Sequence, residues 1–149
     1  MSVIGFNLTE IAAKVNDERI DGEVSINSGP NIESIKKADI SIAGLKGVLS
    51  IEFVFNVNYK PKVGEIKLRG VVLYQSDKAD DILKDWEAKK AMDADVALDV
   101  MNVIYRNSLT KAIMISTDLK LPPPIRFPIV TAGEPPKNVE KKDDEKKGE

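Results

Sequence analysis

The sequence predicts an α+β fold, strands first and helices after, and three observations carry that prediction. Large apolar residues alternate with polar ones from Leu49 to Tyr59 and again from Ile66 to Tyr74, the period-two pattern of half-buried strands. From Ala79 the period becomes helical and stays so to Ile115. Leu121-Pro122-Pro123-Pro124 then stops the helix, because proline has no N–H for the helical ladder and restricts the residue before it.

The elements follow in order. Leu8, Ile11, Ala12 and Val15 stand at helical spacing, so a first helix is expected over 8–16, with Asn7 or Thr9 as its N-cap. From Glu18 the pattern alternates: Ile20, Gly22, Val24 and Ile26 form one face of a strand. Ser28-Gly29-Pro30-Asn31 is expected to break that strand, and a weaker one follows over 35–45, with Ile40 and Ile42 on one face. The strongest strand carries Leu49, Ile51, Phe53, Phe55, Val57 and Tyr59 on one side. Lys60-Pro61-Lys62-Val63-Gly64 supplies a turn, and Ile66, Leu68, Gly70, Val72 and Tyr74 return on the same face, which predicts an antiparallel hairpin at the centre of the sheet.

Ser76-Asp77 opens a short helix whose apolar stripe is Ala79, Ile82, Leu83 and Trp86. Asp93 or Asp95 caps a second helix of about 22 residues, roughly 33 Å long at the helical rise. Its apolar residues, among them Val96, Val100, Met101, Ile104, Leu109 and Ile113, cover more than one narrow face, which suits a helix packed on its own sheet and on a neighbouring subunit. Ile125, Phe127 and Ile129 continue as an extended apolar segment. Beyond Gly133 one aliphatic residue stands among eleven charges, too little apolar surface to offset the entropy of ordering. The expected organisation is one domain over 1–133 and a disordered mixed-charge tail over 134–149.

Composition narrows the chemistry. The 149 residues are 42% hydrophobic, enough for a core, and 22 basic against 24 acidic side chains leave no field that would favour a nucleic-acid duplex or an anionic membrane. Without cysteine or histidine there is no thiolate nucleophile, Ser-His-Asp triad or Cys/His zinc site. No phosphate-binding glycine motif occurs, so nucleotide use is not expected. Two aspartate sets, Asp77/Asp81/Asp85 and Asp93/Asp95/Asp99, are the one route to a hard-cation site, but acids at helix starts are accounted for by the helix dipole. Phe53, Phe55, Tyr59 and Tyr74 could stack bases in principle, yet no basic cluster accompanies them. The expectation is a non-enzymatic protein without metal or cofactor. Apolar runs of only a few residues and a start without a signal-peptide pattern add a cytoplasmic setting with no membrane insertion.

The order of elements, together with Val96-Ala97-Leu98-Asp99-Val100-Met101-Asn102-Val103-Ile104-Tyr105-Arg106 and the corner Leu121-Pro122-Pro123-Pro124-Ile125, resembles the SecB-like protein-export chaperones, including the chaperones of toxin–antitoxin systems. The resemblance spans about residues 7–130. It implies a four-stranded antiparallel sheet packed on one long C-terminal helix with a shorter preceding helix, assembly into dimers or tetramers, and binding of unfolded or disordered polypeptide without ATP. The sequence departs from the family in three places. No glycine precedes the corner, no lid helix follows it, and the tail is of mixed charge where the export chaperone's is acidic and contacts the SecA motor, which argues against SecA binding.

One helical layer covers one sheet face, so the apolar residues left over, including Val54, Val71 and Leu73, point to subunit contacts or a client groove. The expected client-binding residues are Phe53, Phe55, Ile125, Phe127 and Ile129, and Phe127→Asp is expected to weaken client capture. The alternative is an adaptor or assembly protein that binds one specific partner.

Overall fold

The computed structural model describes residues 2–16, 24–38 and 45–125. Four strands, β1 (Ser2–Val15), β2 (Ser25–Lys37), β3 (Val48–Lys60) and β4 (Gly64–Gln75), precede two helices, α1 (Ala79–Lys89) and α2 (Ala94–Asp118). The strands form one antiparallel sheet in the order β1-β4-β3-β2. Three consecutive strands pair as neighbours and β1 lies beside the last of them, a Greek-key order. The β3–β4 hairpin, both helices and the α+β architecture agree with the sequence reading.

The N-terminal helix expected over 8–16 is instead the second half of β1. Its register with β4 slips between Val3 and Gly5 and again between Leu8 and Glu10. Each bulge inserts one residue into the alternation. The residues opposite the helix-facing side of β4 are therefore Val3, Phe6, Leu8, Ile11, Ala13 and Val15. Spacings of two and three produced by bulges imitate the three-and-four spacing of a helix.

The expected break at Ser28-Gly29-Pro30-Asn31 is likewise absent, because β2 runs straight through it. Proline is excluded from a central strand by its missing N–H, but β2 is an edge, where that side can face solvent. Ile20 and Gly22 of the earlier strand, and Ile40 and Ile42 of the later one, lie outside the described residues.

The core lies between the sheet and the helices. Leu49, Ile51, Phe53, Phe55, Val57 and Tyr59 from β3 and Ile66, Leu68, Val72 and Tyr74 from β4 are all buried. Helix α2 adds a row at steps of four, Val96, Val100, Ile104, Ser108, Ala112 and Ser116, and touches all four strands. Its small C-terminal members let the helix approach the aromatic part of the sheet closely. Gly70 serves the same end within the sheet: a Cβ there would stand 2.7 Å from the Phe53 ring. Phe53 and Phe6, contributed from either side of that gap, stack with centroids 5.4 Å apart.

Among the described residues the opposite sheet face carries charged side chains and no second layer. The Arg69 guanidinium on β4 lies 3.3 Å from Glu10 on β1 and 2.6 Å from Glu33 on β2. Arg69 is the cross-strand partner of Val54, and β3 separates it from Glu33, so its side chain must cross above Val54. That explains why Val54, on the side away from the helices, is 5% exposed. Beside it Glu52 accepts from the Ser34 hydroxyl at 2.9 Å and pairs with Lys36.

Candidate functional site

Helix α2 ends in a turn that aims the following chain back along the helix. Lys120 takes a left-handed conformation, φ 55°. The Leu121 N–H donates to the Ser116 carbonyl and the Lys120 N–H to the Thr117 carbonyl. This pair of bonds is the Schellman arrangement, in which glycine is the usual left-handed residue. The proline corner therefore forms without the glycine. Leu121 is buried, and the Tyr59 hydroxyl donates to the Pro122 carbonyl at 2.7 Å, fixing the corner to β3. Burial raises the Tyr59 phenol above its ordinary pKa, against a smaller opposing effect of Ser116, so it remains a donor at neutral pH.

The turned chain, the outer side of α2 and the edge strand β2 border an open groove, apolar along α2 and more polar beside β2. Tyr105, Leu109, Ile113 and Ile125 line one part, of about 460 Å³, with Asn102, Arg106 and Thr110 at its margin. Val24, Ser25 and Ile26 face Pro123, Pro124 and Ile125 in the adjoining part, of about 400 Å³. Tyr105 is 42% exposed yet held in place, edge-on to Phe55 with centroids 5.8 Å apart. Among the described residues no strand pairs with the outer edge of β2. The groove thus offers apolar surface next to unused backbone donors and acceptors, the combination that receives an extended peptide.

Of the expected client-binding residues, Ile125 lies in this groove. Phe53 and Phe55 do not: they are 1% and 0% exposed, enclosed between sheet and helices, and in the single chain present no surface to a ligand. The alternation that made them prominent in the sequence is that of the core. Phe127 and Ile129 lie outside the described residues. In the sequence Leu109 and Ile113 stand out only as excess width of the helix stripe, and Tyr105 only as part of the stretch that carries the family resemblance. Val24, Ser25 and Ile26 fall on an expected strand, but nothing local marks that strand as an edge beside α2.

A second cavity, of about 500 Å³, opens between α1 and α2. Tyr74, Ile82, Met92 and Val96 form its apolar wall, and Asp81, Asp85, Asp93, Asp95 and Asp99 its rim, relieved by Lys78 and Lys89. Burial, and then the nearby Asp99, Asp95 and Asp93, raise the Tyr74 phenol. Asp93 is the N-cap of α2, accepting from the Ala94 N–H at 3.0 Å. Among the described residues no three acidic side chains are grouped so as to hold a metal ion. Nor is there a base-stacking platform at Phe53, Phe55, Tyr59 and Tyr74, each at most 1% exposed. No helix among the described residues is long and apolar enough to cross a membrane.

No family model and no curated protein matches the sequence. Among solved structures, the chain is similar to the SecB-like chaperone Rv1957 of Mycobacterium tuberculosis, seen in complex with a ChAD peptide from the HigA1 antitoxin, with a TM-score of 0.55 over 87% of this chain and 90% of that one. The fold is SecB-like. At 10% identity the relation is one of backbone architecture, and it agrees with the resemblance drawn from the order of elements.

Proposed function

We propose that this protein is an ATP-independent chaperone of the holdase type, non-enzymatic and cytoplasmic, which binds unfolded or disordered polypeptide as a homo-oligomer. The observation that carries the reading is the groove itself: Tyr105, Leu109, Ile113 and Ile125 beside the outer edge of β2. Backbone pairing to β2 would tolerate many sequences, and apolar contacts on α2 would select extended segments with spaced large residues. The polar network around Arg69 leaves the other sheet face poorly suited to that role. The SecB-like fold, and the peptide-bound state of the similar mycobacterial chaperone, support the polypeptide partner.

The test is dilution of a chemically unfolded, unrelated protein with and without this one at equal molar ratio, without ATP, followed by light scattering. Suppression beyond that of an inert protein of similar charge is the expected result; its absence would refute generic holdase activity. A second reading, an adaptor or chaperone dedicated to one partner, is favoured by the antitoxin peptide carried by the similar structure. It predicts no suppression but saturable capture of a single protein from cells.

A further inference from the structure

Two arginines fall among the described residues, and their surroundings differ. Arg69 meets the carboxylates of Glu10 and Glu33. Arg106, exposed on α2, has no ion-pair partner among the described residues. It stands at the margin of the groove, and no other charged side chain among the described residues lines either part of it. Asp99, about two turns earlier on α2, borders a separate cavity of about 360 Å³ together with Arg106 but makes no ion pair with it. Along the helix, Asn102, Arg106 and Thr110 form one row at steps of four, beside the apolar row Tyr105, Leu109 and Ile113. The Thr110 hydroxyl already donates to the Arg106 carbonyl at 2.7 Å, so the guanidinium is the charged donor left to its row. Two residues of extended chain span roughly 7 Å, and four residues of helix about 6 Å. An extended segment lying along α2 therefore keeps step with both rows, its alternate side chains turned to opposite sides.

We propose that Arg106 selects the client: the groove takes an extended segment in which an acidic residue stands next in sequence to large apolar ones. The proposal rests on reading the groove as the client site and adds the chemistry of what it accepts. The client's apolar side chains lie on Tyr105, Leu109 and Ile113, and the neighbouring carboxylate turns to Arg106. A guanidinium presents a planar fork that matches a carboxylate with two parallel N–H···O bonds. The apolar wall beside it keeps water from one side of the pair, which strengthens the attraction relative to open solvent. A lysine at the same client position meets the guanidinium as a like charge, and repulsion of that kind sharpens specificity. One arginine without further cations is too little for a nucleic-acid backbone, whose binding rests on several.

The experiment measures fluorescence anisotropy with three labelled synthetic peptides that differ only in one residue, Glu, Gln or Lys, set between leucine and phenylalanine. The full chain is compared with Arg106→Gln, Arg106→Glu and Tyr105→Ser, and urea unfolding establishes that each variant is folded. The expected result is that the Glu peptide binds the unaltered protein about three- to tenfold tighter than the Gln peptide, with the Lys peptide weakest. Arg106→Gln should bring the Glu and Gln peptides to within about twofold of each other, and Arg106→Glu should put the Lys peptide first. Added salt should narrow the gap in the unaltered protein. A Glu-to-Gln ratio that is the same with and without Arg106 would overturn the proposal, as would a Lys peptide that binds the unaltered protein best. The Gln peptide carries no charge at that position and so tests the groove by itself. If it binds and Tyr105→Ser weakens it, the client site stands even where the charge dependence fails. If no peptide binds, or Tyr105→Ser changes none of them, the groove reading falls and the proposal with it.

Discussion

Arg69→Met tests whether one guanidinium ties the sheet together. Methionine keeps most of the aliphatic stem over Val54 and removes the charge that meets Glu10 and Glu33. The Arg69 side chain is 35% exposed and that of Glu33 34%, so the pair is partly desolvated, whereas that of Glu10 is 53% exposed. A charge-assisted hydrogen bond is worth ~1.5–3 kcal/mol when well shielded, and solvent screening reduces the Glu33 contact to about 1–1.5 kcal/mol. The Glu10 pair adds a few tenths. A loss of roughly 1.5–2 kcal/mol lowers Tm by about 3–8 °C in a chain of this size. Urea unfolding should show a lower midpoint at unchanged slope, since no new surface is exposed. A double-mutant cycle with Glu33→Gln should give a coupling of about 1 kcal/mol, which added salt diminishes. A coupling below ~0.3 kcal/mol would mean that the two side chains act independently, and the tie across β3 would be refuted.

Three further outcomes are expected. Lys120→Gly relieves a left-handed conformation at the end of α2 and should raise stability by about 0.5–1 kcal/mol, read from urea midpoints. Gly70→Ala drives a methyl group into the Phe53 ring and the Asn7 carbonyl and should cost about 1–3 kcal/mol, with loss of near-ultraviolet circular dichroism. The chain has no histidine, and Tyr59 and Tyr74 both carry raised phenol pKa values. Because the raised value belongs to the folded state, the stability they confer is complete below the ordinary tyrosine value near 10. It is lost as pH climbs through the folded value. Unfolding followed by tyrosinate absorbance should therefore begin only above about pH 10.

The parts of the fold legible in the sequence are those in which local pattern and tertiary burial agree. β3 and β4 alternate cleanly because both are central and covered on one face by helices, and α2 is marked by its cap at Asp93 and its proline stop. The two edges conceal their pattern in different ways. β1 hides its strand period behind two bulges, and β2 carries a proline that only an edge tolerates. Whether a strand is central or peripheral depends on long-range pairing that no local window contains. The candidate site suffered from the same limit. Phe53 and Phe55 have the residue type of a binding surface, but their exposure is decided by α2, while Tyr105 is left half outside by the same helix.

The interruptions in the two edge strands bear on how long a captured chain would stay. On β2 the run from Ser25 to Gly29 is ended by Pro30, and the remainder is broken between Ile32 and Ser34. On β1 the second bulge leaves Glu10 to Val15 as the unbroken stretch. An added strand can therefore form only a handful of backbone bonds at either edge, each contributing ~0.5–1.5 kcal/mol net. Their sum, roughly 3–6 kcal/mol, is no larger than the ~4–15 kcal/mol that association costs in lost freedom, so edge pairing alone holds a segment weakly. On the function proposed above, a segment paired only at an edge would therefore leave by its own thermal motion, with no energy source.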